Sequence, residues 1–596
     1  MEELFDPVGT YRDQLKGECE RVAAETFRKL VDQSGVDAAA NHSVVSRVRR
    51  LERLLESLRR HSGWLKFWIA LVIIACLAGG GYCCYGLPRY YHGEDLLLYQ
   101  ISGIALAVIL AIGAVVPLWK NHRETGRKIS QAEETVSGLM QQGWQQLEAL
   151  NRLFTWQTVT DIIHEVLPLL NFDPYFSNGR LNQLRRQYGW SDDFNNDRSI
   201  ESCQSGSING NPFVLANALT TTMGTATYTG HLTIHWTERE SYVDSKGNLS
   251  SRTVHRTQVL TATVVKPAPY YYYKRFLIFG SEAAPELSFS RRPTDLSELG
   301  NGWFARRRMK AAIRKLKAES LENGSFMMMS NEQFDAMFNA LDRNNETQFR
   351  LLFTPVAQRQ MMALLRDRKV GYGDDFCYTK SRKISLLMPE HLQALKVDAD
   401  PDCFRSWNLE GMEKFFNAYV NDYFRALYFA LAPILSIPLF QQYQSDAEIY
   451  KDVCDWRGSF WEYESMANSY DVSEFKHPQC ITNSILKITG AHPQEDGSTE
   501  LAVTAYGYRG VERVDYVSTC GGDGRYHNVP VHWIEYIPVE ATSPLIVRES
   551  IEEQPSGDGG GQGDAAADAW REFFTRWGGS QEAGRRIRRF IYAFRK

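Results

Sequence analysis

The stretch FWIALVIIACLAGGGYCCYG, residues 67–86, decides how the rest of the chain is read. It runs twenty residues without a charge, the length a helix needs to cross the hydrocarbon core of a bilayer. LLLYQISGIALAVILAIGAVVPLW, residues 96–119, follows after nine residues and is equally uncharged. Pro88 and Gly93 suit the connection to a tight turn, and Trp64, Trp68, Tyr85, Tyr90, Tyr99 and Trp119 lie near the ends, where amphipathic rings favour the headgroup zone. The pair reads as a transmembrane helical hairpin. Arg47, Arg49, Arg50, Arg53, Arg59, Arg60 and Lys66 precede it and Lys120, Arg123, Arg127 and Lys128 follow it, whereas the connection has only Arg89 against Glu94 and Asp95. The positive-inside rule then predicts a multi-pass protein of the inner (cytoplasmic) membrane with both termini cytoplasmic. Neither span holds an Asp, Glu, Lys, Arg or His, which argues against an ion or proton path.

Outward from the hairpin, Val44, Val48, Leu51, Leu55 and Leu58 repeat at heptad spacing, and Ile129, Ala132, Val136 and Leu139, then Leu147, Leu150 and Phe154, answer them after the second span. Helices leaving adjacent spans are already neighbours, so an antiparallel cytosolic stalk is expected, with an intermolecular coiled coil as the rival. The 596-residue chain has room for further soluble domains. Its 67 basic against 71 acidic residues give no overall attraction for nucleic acid, and ten cysteines without a CxxC pair fit reduced thiols rather than a disulfide framework.

The body alternates strand and helix patterns. Residues 171–210, rich in Asn, Asp, Ser and Gly, read as irregular entry segments. Residues 228–236 and 254–265 predict a two-stranded ribbon with its turn at Ser245, Lys246, Gly247 and Asn248, and YYYYKRFLIF, residues 270–279, a strand covered on both faces. Arg306, Arg307, Arg308, Lys310, Arg314, Lys315 and Lys317 make a basic helix, read as a solvated face or one turned to the inner leaflet. Leu351 to Phe353 read as extended, followed by a Thr354 cap, Pro355 at the first helical position, and a β-hairpin with strands near 376–378 and 384–387 that leads into a helix from about Pro389. Residues 426–440, interrupted by Pro433 and Pro438, are too short to span and read as a buried helix, or else a dip into the leaflet. Residues 481–547 are β-rich, with turns at 494–497 and at GGDG, 521–524.

The two spans, the helical return, a strand-rich section entered at Gly210, Asn211, Pro212 and Phe213, and FRLLFTP at 349–355 before a helix and hairpin resemble an uncharacterised family of bacterial two-span membrane proteins. That resemblance implies a bacterial inner-membrane protein and brings no catalytic residues or cofactor. The residues themselves carry no recognisable catalytic motif: His164-Glu165 has Pro168 where a zinc protease places its second His, and GxSxG, Walker and dinucleotide fingerprints are missing. Neither a cofactor nor a metal is expected.

At the C-terminus, a polar linker (551–569) leads to a segment from Trp570 to Lys596 with eight basic and two acidic residues. Ile587, Phe590, Ile591 and Phe594 fall at i, i+3, i+4 and i+7 among Arg585, Arg586, Arg588 and Arg589, predicting a basic amphipathic helix for anionic lipid, or one docked on its own domain or on an acidic partner. The expected class is α+β: cytosolic N-terminal helices with a heptad seam (1–63), the transmembrane hairpin (64–119), the return helix of the stalk (120–170), a β-rich domain (171–300), an α+β domain ending in a β-rich section (301–550), the linker, and the basic helix (570–596). The expected function is a membrane-anchored cytosolic scaffold or sensor, with the bilayer and an unknown protein as partners and nucleic acid disfavoured. The alternatives are a membrane-bound enzyme with an unrecognised site, or a small oligomeric pore of a stress or defence system.

Overall fold

The computed structural model describes all residues except 1–5, 82–95, 192–196, 244–248, 298–301, 323–325, 395–399, 444–456, 471, 496, 550–583, 588–589 and 595–596. The hairpin connection, the 245–248 turn, the linker and residues 570–583 of the expected C-terminal helix therefore lie outside the described residues. The chain is 49% helical and 32% strand, an α+β protein. It divides into two compact units, residues 1–19, 159–399 and 421–596 in one, residues 20–158 and 400–420 in the other.

In the helical unit, Ala38–Gly81 and Leu96–Gln146 are single helices of 44 and 51 residues. Part of the heptad seam is buried between them: Val44 and Val48 pack with Leu139, flanked by Leu51, Val136 and Met140. Arg59 reaches Glu133 at 2.7 Å and Ser62 meets His122 at 3.2 Å, contacts that require antiparallel courses. Among the described residues one helix, Ala38–Gly79, is long and apolar enough to cross a membrane, and only 6% of its apolar window is buried. At the other end, Phe27, Phe154, Phe404 and Phe416 form an aromatic core. Gly143, which breaks the heptad pattern, has its reason there: a Cβ on it would lie 2.8 Å from the Trp407 carbonyl oxygen. The Asn41 amide donates to that same carbonyl at 3.0 Å while its own carbonyl accepts from Leu409 N at 3.1 Å.

The β-rich unit holds two antiparallel sheets. The first comprises β1 (Leu170–Phe172), β2 (Arg198–Ile208), β3 (Asn211–Val243), β4 (Leu249–Gly280), β5 (Ser288–Arg291), β6 (Phe376–Ser381) and β7 (Ile384–Pro389), in the order β1-β2-β3-β4-β7-β6-β5. Since β7 pairs with β4, sequence before and after residue 300 shares one sheet. The second comprises β8 (Ile485–Pro493), β9 (Ser498–Cys520), β10 (Tyr526–Glu549), β11 (Gly584–Ile587) and β12 (Phe590–Phe594), in the order β11-β12-β10-β9-β8. β3 and β4 have 33 and 32 residues and β9 and β10 have 23 and 24, against a usual length of about 5–6.

A two-stranded ribbon is marginal by itself in water. These two ribbons stabilise each other by burying Ile234, Leu260 and Ala262 of one against Val529 and Val531 of the other, with Tyr228, Leu232, Trp236, Val264 and Val517 around them. Gly230 marks the closest approach, because a Cβ there would fall 2.1 Å from the Pro530 carbonyl oxygen. Beside it Lys266 pairs with Asp515 at 2.6 Å and lies 4.3 Å from the Trp533 ring, whose indole N–H donates to Asp515 at 3.0 Å.

The helix Phe460–Ser469 ties the sheets at their base. Trp461 packs in the core with Phe176, Val214 and Phe276, Glu462 accepts from Phe176 N at 3.0 Å, and Glu464 accepts from Ile200 N at 3.1 Å and from Lys487 of β8 at 3.0 Å. Both carboxylates are buried, and a buried pair of this kind costs about 3–5 kcal/mol to break from one side.

Several expectations are corrected. The described residues of 171–210 include β1, a helix Asn178–Tyr188 and β2; Ser177 caps that helix by accepting from Arg180 N, and Gly189 ends it at φ 71°. Leu351 and Leu352 are helical, in Glu346–Leu352, because packing of Phe349 on Phe353 with ring centroids 4.7 Å apart outweighs their extended reading. After Pro389 the described residues form a short 3-10 turn, His391–Ala394, in place of the expected helix start. In residues 270–279 only the second half is covered on both faces: Phe276, Leu277, Ile278 and Phe279 are all buried, whereas Tyr270, Tyr272 and Tyr273 are exposed. The helix Leu409–Leu435 and the turn after it bury residues 426–437 throughout, as a buried helix requires and a leaflet dip does not.

Candidate functional site

Where β3 and β4 of the first sheet meet β8, β9 and β10 of the second, a half-open cleft of about 440 Å³ is lined by Thr221, Tyr271, Ile485, Tyr506, Gly507, Tyr508, Pro538, Val539 and Glu540. Register builds it. Thr221 is paired with Tyr271, Tyr506 faces Ile485 on one side and Glu540 on the other, and Tyr508 faces Pro538. Directly opposed residues in antiparallel strands project to the same face, so aromatic and polar side chains are delivered in rows.

A hydrogen-bond chain fixes the wall. The Thr482 hydroxyl donates to Asn483 O at 2.8 Å and accepts from Tyr508 N at 3.1 Å. Its one proton is committed, so at 3.1 Å the Tyr271 hydroxyl is the donor to Thr482. Burial raises the Tyr271 phenol above its ordinary value and keeps it protonated for that role. Thr221 Oγ1 is buried beside the Tyr271 phenol and acts on it, against the larger effect of burial.

Cys480 sits beneath Gly507, where a Cβ would come within 2.4 Å of its Sγ. Burial alone would raise this thiol. Contacts with Ser484 at 3.6 Å and Thr482 at 3.7 Å, with backbone bonds from Thr482 and Tyr508, outweigh burial and hold it below its ordinary value. The cleft thus offers tyrosine faces, the Thr221 hydroxyl and the exposed Glu540 carboxylate, with the Cys480 thiol behind Gly507: groups that bind, orient and hydrogen-bond a small or extended ligand. Among the described residues no group of three or more His, Cys, Asp or Glu side chains could hold a metal ion.

The C-terminal residues read from sequence as a contact helix lie elsewhere and in another conformation. Arg585, Arg586 and Ile587 belong to β11; Phe590, Ile591 and Phe594 belong to β12, which pairs with β10 in the register Phe590 to Glu549 through Phe594 to Leu545. Arg588 and Arg589 fall outside the described residues. The physical reason is that a short isolated helix is marginal in water, whereas the edge of β10 offers a row of backbone groups to an apolar pentapeptide, FIYAF. The segment docks on its own sheet.

Sequence reading missed the cleft. Its signal was the alternation in AYGYRG, residues 505–510, which sets Tyr506 and Tyr508 on one face of β9; nothing in the sequence announced Tyr271, which meets them through the packing of two sheets, or Cys480, which the backbone bond from Ile481 N to Tyr508 O brings beneath Gly507. No protein-family model, curated protein or solved structure matches the chain.

Proposed function

We propose that the chain is a membrane-anchored scaffold or sensor. In this reading Ala38–Gly81 and Leu96–Gln146 cross the bilayer as a hairpin and continue as an antiparallel stalk, both termini are cytoplasmic, and the β-rich unit receives a ligand or partner segment in the tyrosine cleft. The observation that carries the anchor is the apolar window of Ala38–Gly79, of which only 6% is buried; a core helix of that composition would be buried by its own protein. The cleft supports the sensor half, because its hydroxyls and carboxylate stand on paired strands and are therefore preorganised.

Native mass spectrometry of the full chain purified in mild detergent tests the reading. The expected spectrum shows an added mass or a bound polypeptide that is lost when Val539→Trp fills the cleft and circular dichroism is unchanged. A wild-type chain that emerges as a lone, unliganded monomer overturns it.

A further inference from the structure

The helix Trp303–Glu322 of the β-rich unit has a divided surface. Ala305, Met309, Ile313, Leu316 and Ser320 are its more buried face, with Leu316 the most buried. Ser320 donates to Phe326 O at 2.9 Å, and Lys317 pairs with Glu332 at 2.6 Å. The opposite face carries Trp303 and Phe304 at one end, 63% and 77% exposed, and Leu321 at the other, 88% exposed. Arg307, Lys310 and Arg314 lie between them, flanked by Arg306, Arg308 and Lys315. The whole helix has seven cations against Glu319 and Glu322, a net charge of +5 in a chain whose total is -4.

Exposed aromatics side by side are unusual on a solvated surface, and these are held in a fixed arrangement. The Trp303 and Phe304 rings meet edge to face at 4.9 Å, and the Arg307 guanidinium lies 5.5 Å from the Trp303 ring. From residue 303 to 321 the apolar ends are about 27 Å apart along the helix axis. A cationic stripe bounded by apolar tips matches an anionic headgroup layer, in which phosphates meet the stripe while Trp303, Phe304 and Leu321 reach the carbonyl region below. Single-stranded nucleic acid also takes cations and aromatic rings, but it stacks on rings spaced along a groove and has no use for an exposed leucine.

We propose that Trp303–Glu322 is a docking element for anionic phospholipid headgroups. The proposal rests on the membrane reading above and assigns to this helix the contact that sets the β-rich unit against the bilayer surface.

The test uses the full chain with p-benzoylphenylalanine in place of Phe304, reconstituted in nanodiscs of phosphatidylcholine alone or with 30 mol% phosphatidylglycerol, with an RNA oligonucleotide present. Lipid crosslinks are expected to be at least fivefold more abundant in the anionic discs, to fall severalfold in 0.5 M salt, and to fall as far in an R307E/K310E/R314E variant at low salt. Equal crosslinking in both discs, no lipid crosslink, or a crosslink to RNA instead overturns the proposal. Because salt acts on the unmutated helix, misfolding of the triple variant leaves the result readable. A chain that fails to enter discs of either composition overturns the anchor and this proposal with it, whereas entry without lipid crosslinks overturns this proposal alone.

Discussion

Lys380 shows how far packing can override a residue's preference. It lies on the buried face of β6, 1% exposed, donates to the Arg382 carbonyl, and has its ammonium 5.7 Å from the Phe440 ring. Burial pulls this amine down from 10.5 to about 7. Below pH 7 it is charged in both folded and unfolded chains, and the folded state bears the full cost of the buried charge. Between 7 and 10.5 the unfolded chain still holds the proton that the folded chain has released, so stability rises with pH through that window, by at most about 5 kcal/mol. Lys380→Met is expected to stabilise the protein at pH 7 by about 1–4 kcal/mol and to flatten the rise between pH 7 and 10, as read from thermal unfolding at the two pH values. An unchanged slope in the variant would mean that another group carries it. In the sequence Lys380 was one of a run of polar turn residues, TKSRK at 379–383; only the pairing of β6 with β5 and β7 shows that it faces inward.

Element boundaries were legible where local chemistry sets them and obscure where distant contacts do. Thr354 and Pro355 announce a helix start because a hydroxyl cap and a fixed φ act within one turn, and the side chain does accept from Ala357 N. The hairpin at GGDG is equally local, closed by Gly521 N donating to Arg525 O at 2.8 Å, with Gly524 at φ 75°. The ribbon of β3 and β4 was visible as two short strands, but its full length depends on a partner ribbon more than 250 residues away, which no local pattern encodes. Gly230 is the residue on which that partnership turns. Gly230→Val would set a side chain against backbone that cannot swing aside, at a cost of about 1–3 kcal/mol. Hydrogen exchange is expected to quicken at 228–236 and 527–533, where the ribbons meet, and to stay slow at 213–219, where β3 lies between β2 and β4. Uniform quickening over both stretches and the sheet would show that the ribbons and the sheet unfold as one.

For the whole molecule, the uncharged stretch at 67–86 fixes what the rest of the surface can be, and thiol accessibility is the direct way to test it. If both long helices cross the bilayer, the N-terminal helices and the β-rich unit share one compartment, as the arginines before the first span and the lysines and arginines after the second require. Cys403 and Cys520 are exposed, one in each compact unit, and serve as reporters. A membrane-impermeant maleimide added to right-side-out vesicles is expected to leave both unlabelled, and to label both once the membrane is permeabilised or inverted, with modification read peptide by peptide. Labelling of Cys520 from outside at the rate seen in detergent would place the β-rich unit on the far side, as a single crossing or a reversed hairpin does. Labelling of both from outside would put everything after the second span on the far side, the same outcome for a single crossing as for a reversed hairpin. One site labelled and the other protected would require residues 404–519 to cross the bilayer, and among the described residues there the 426–437 segment is buried and no exposed apolar helix remains to do so.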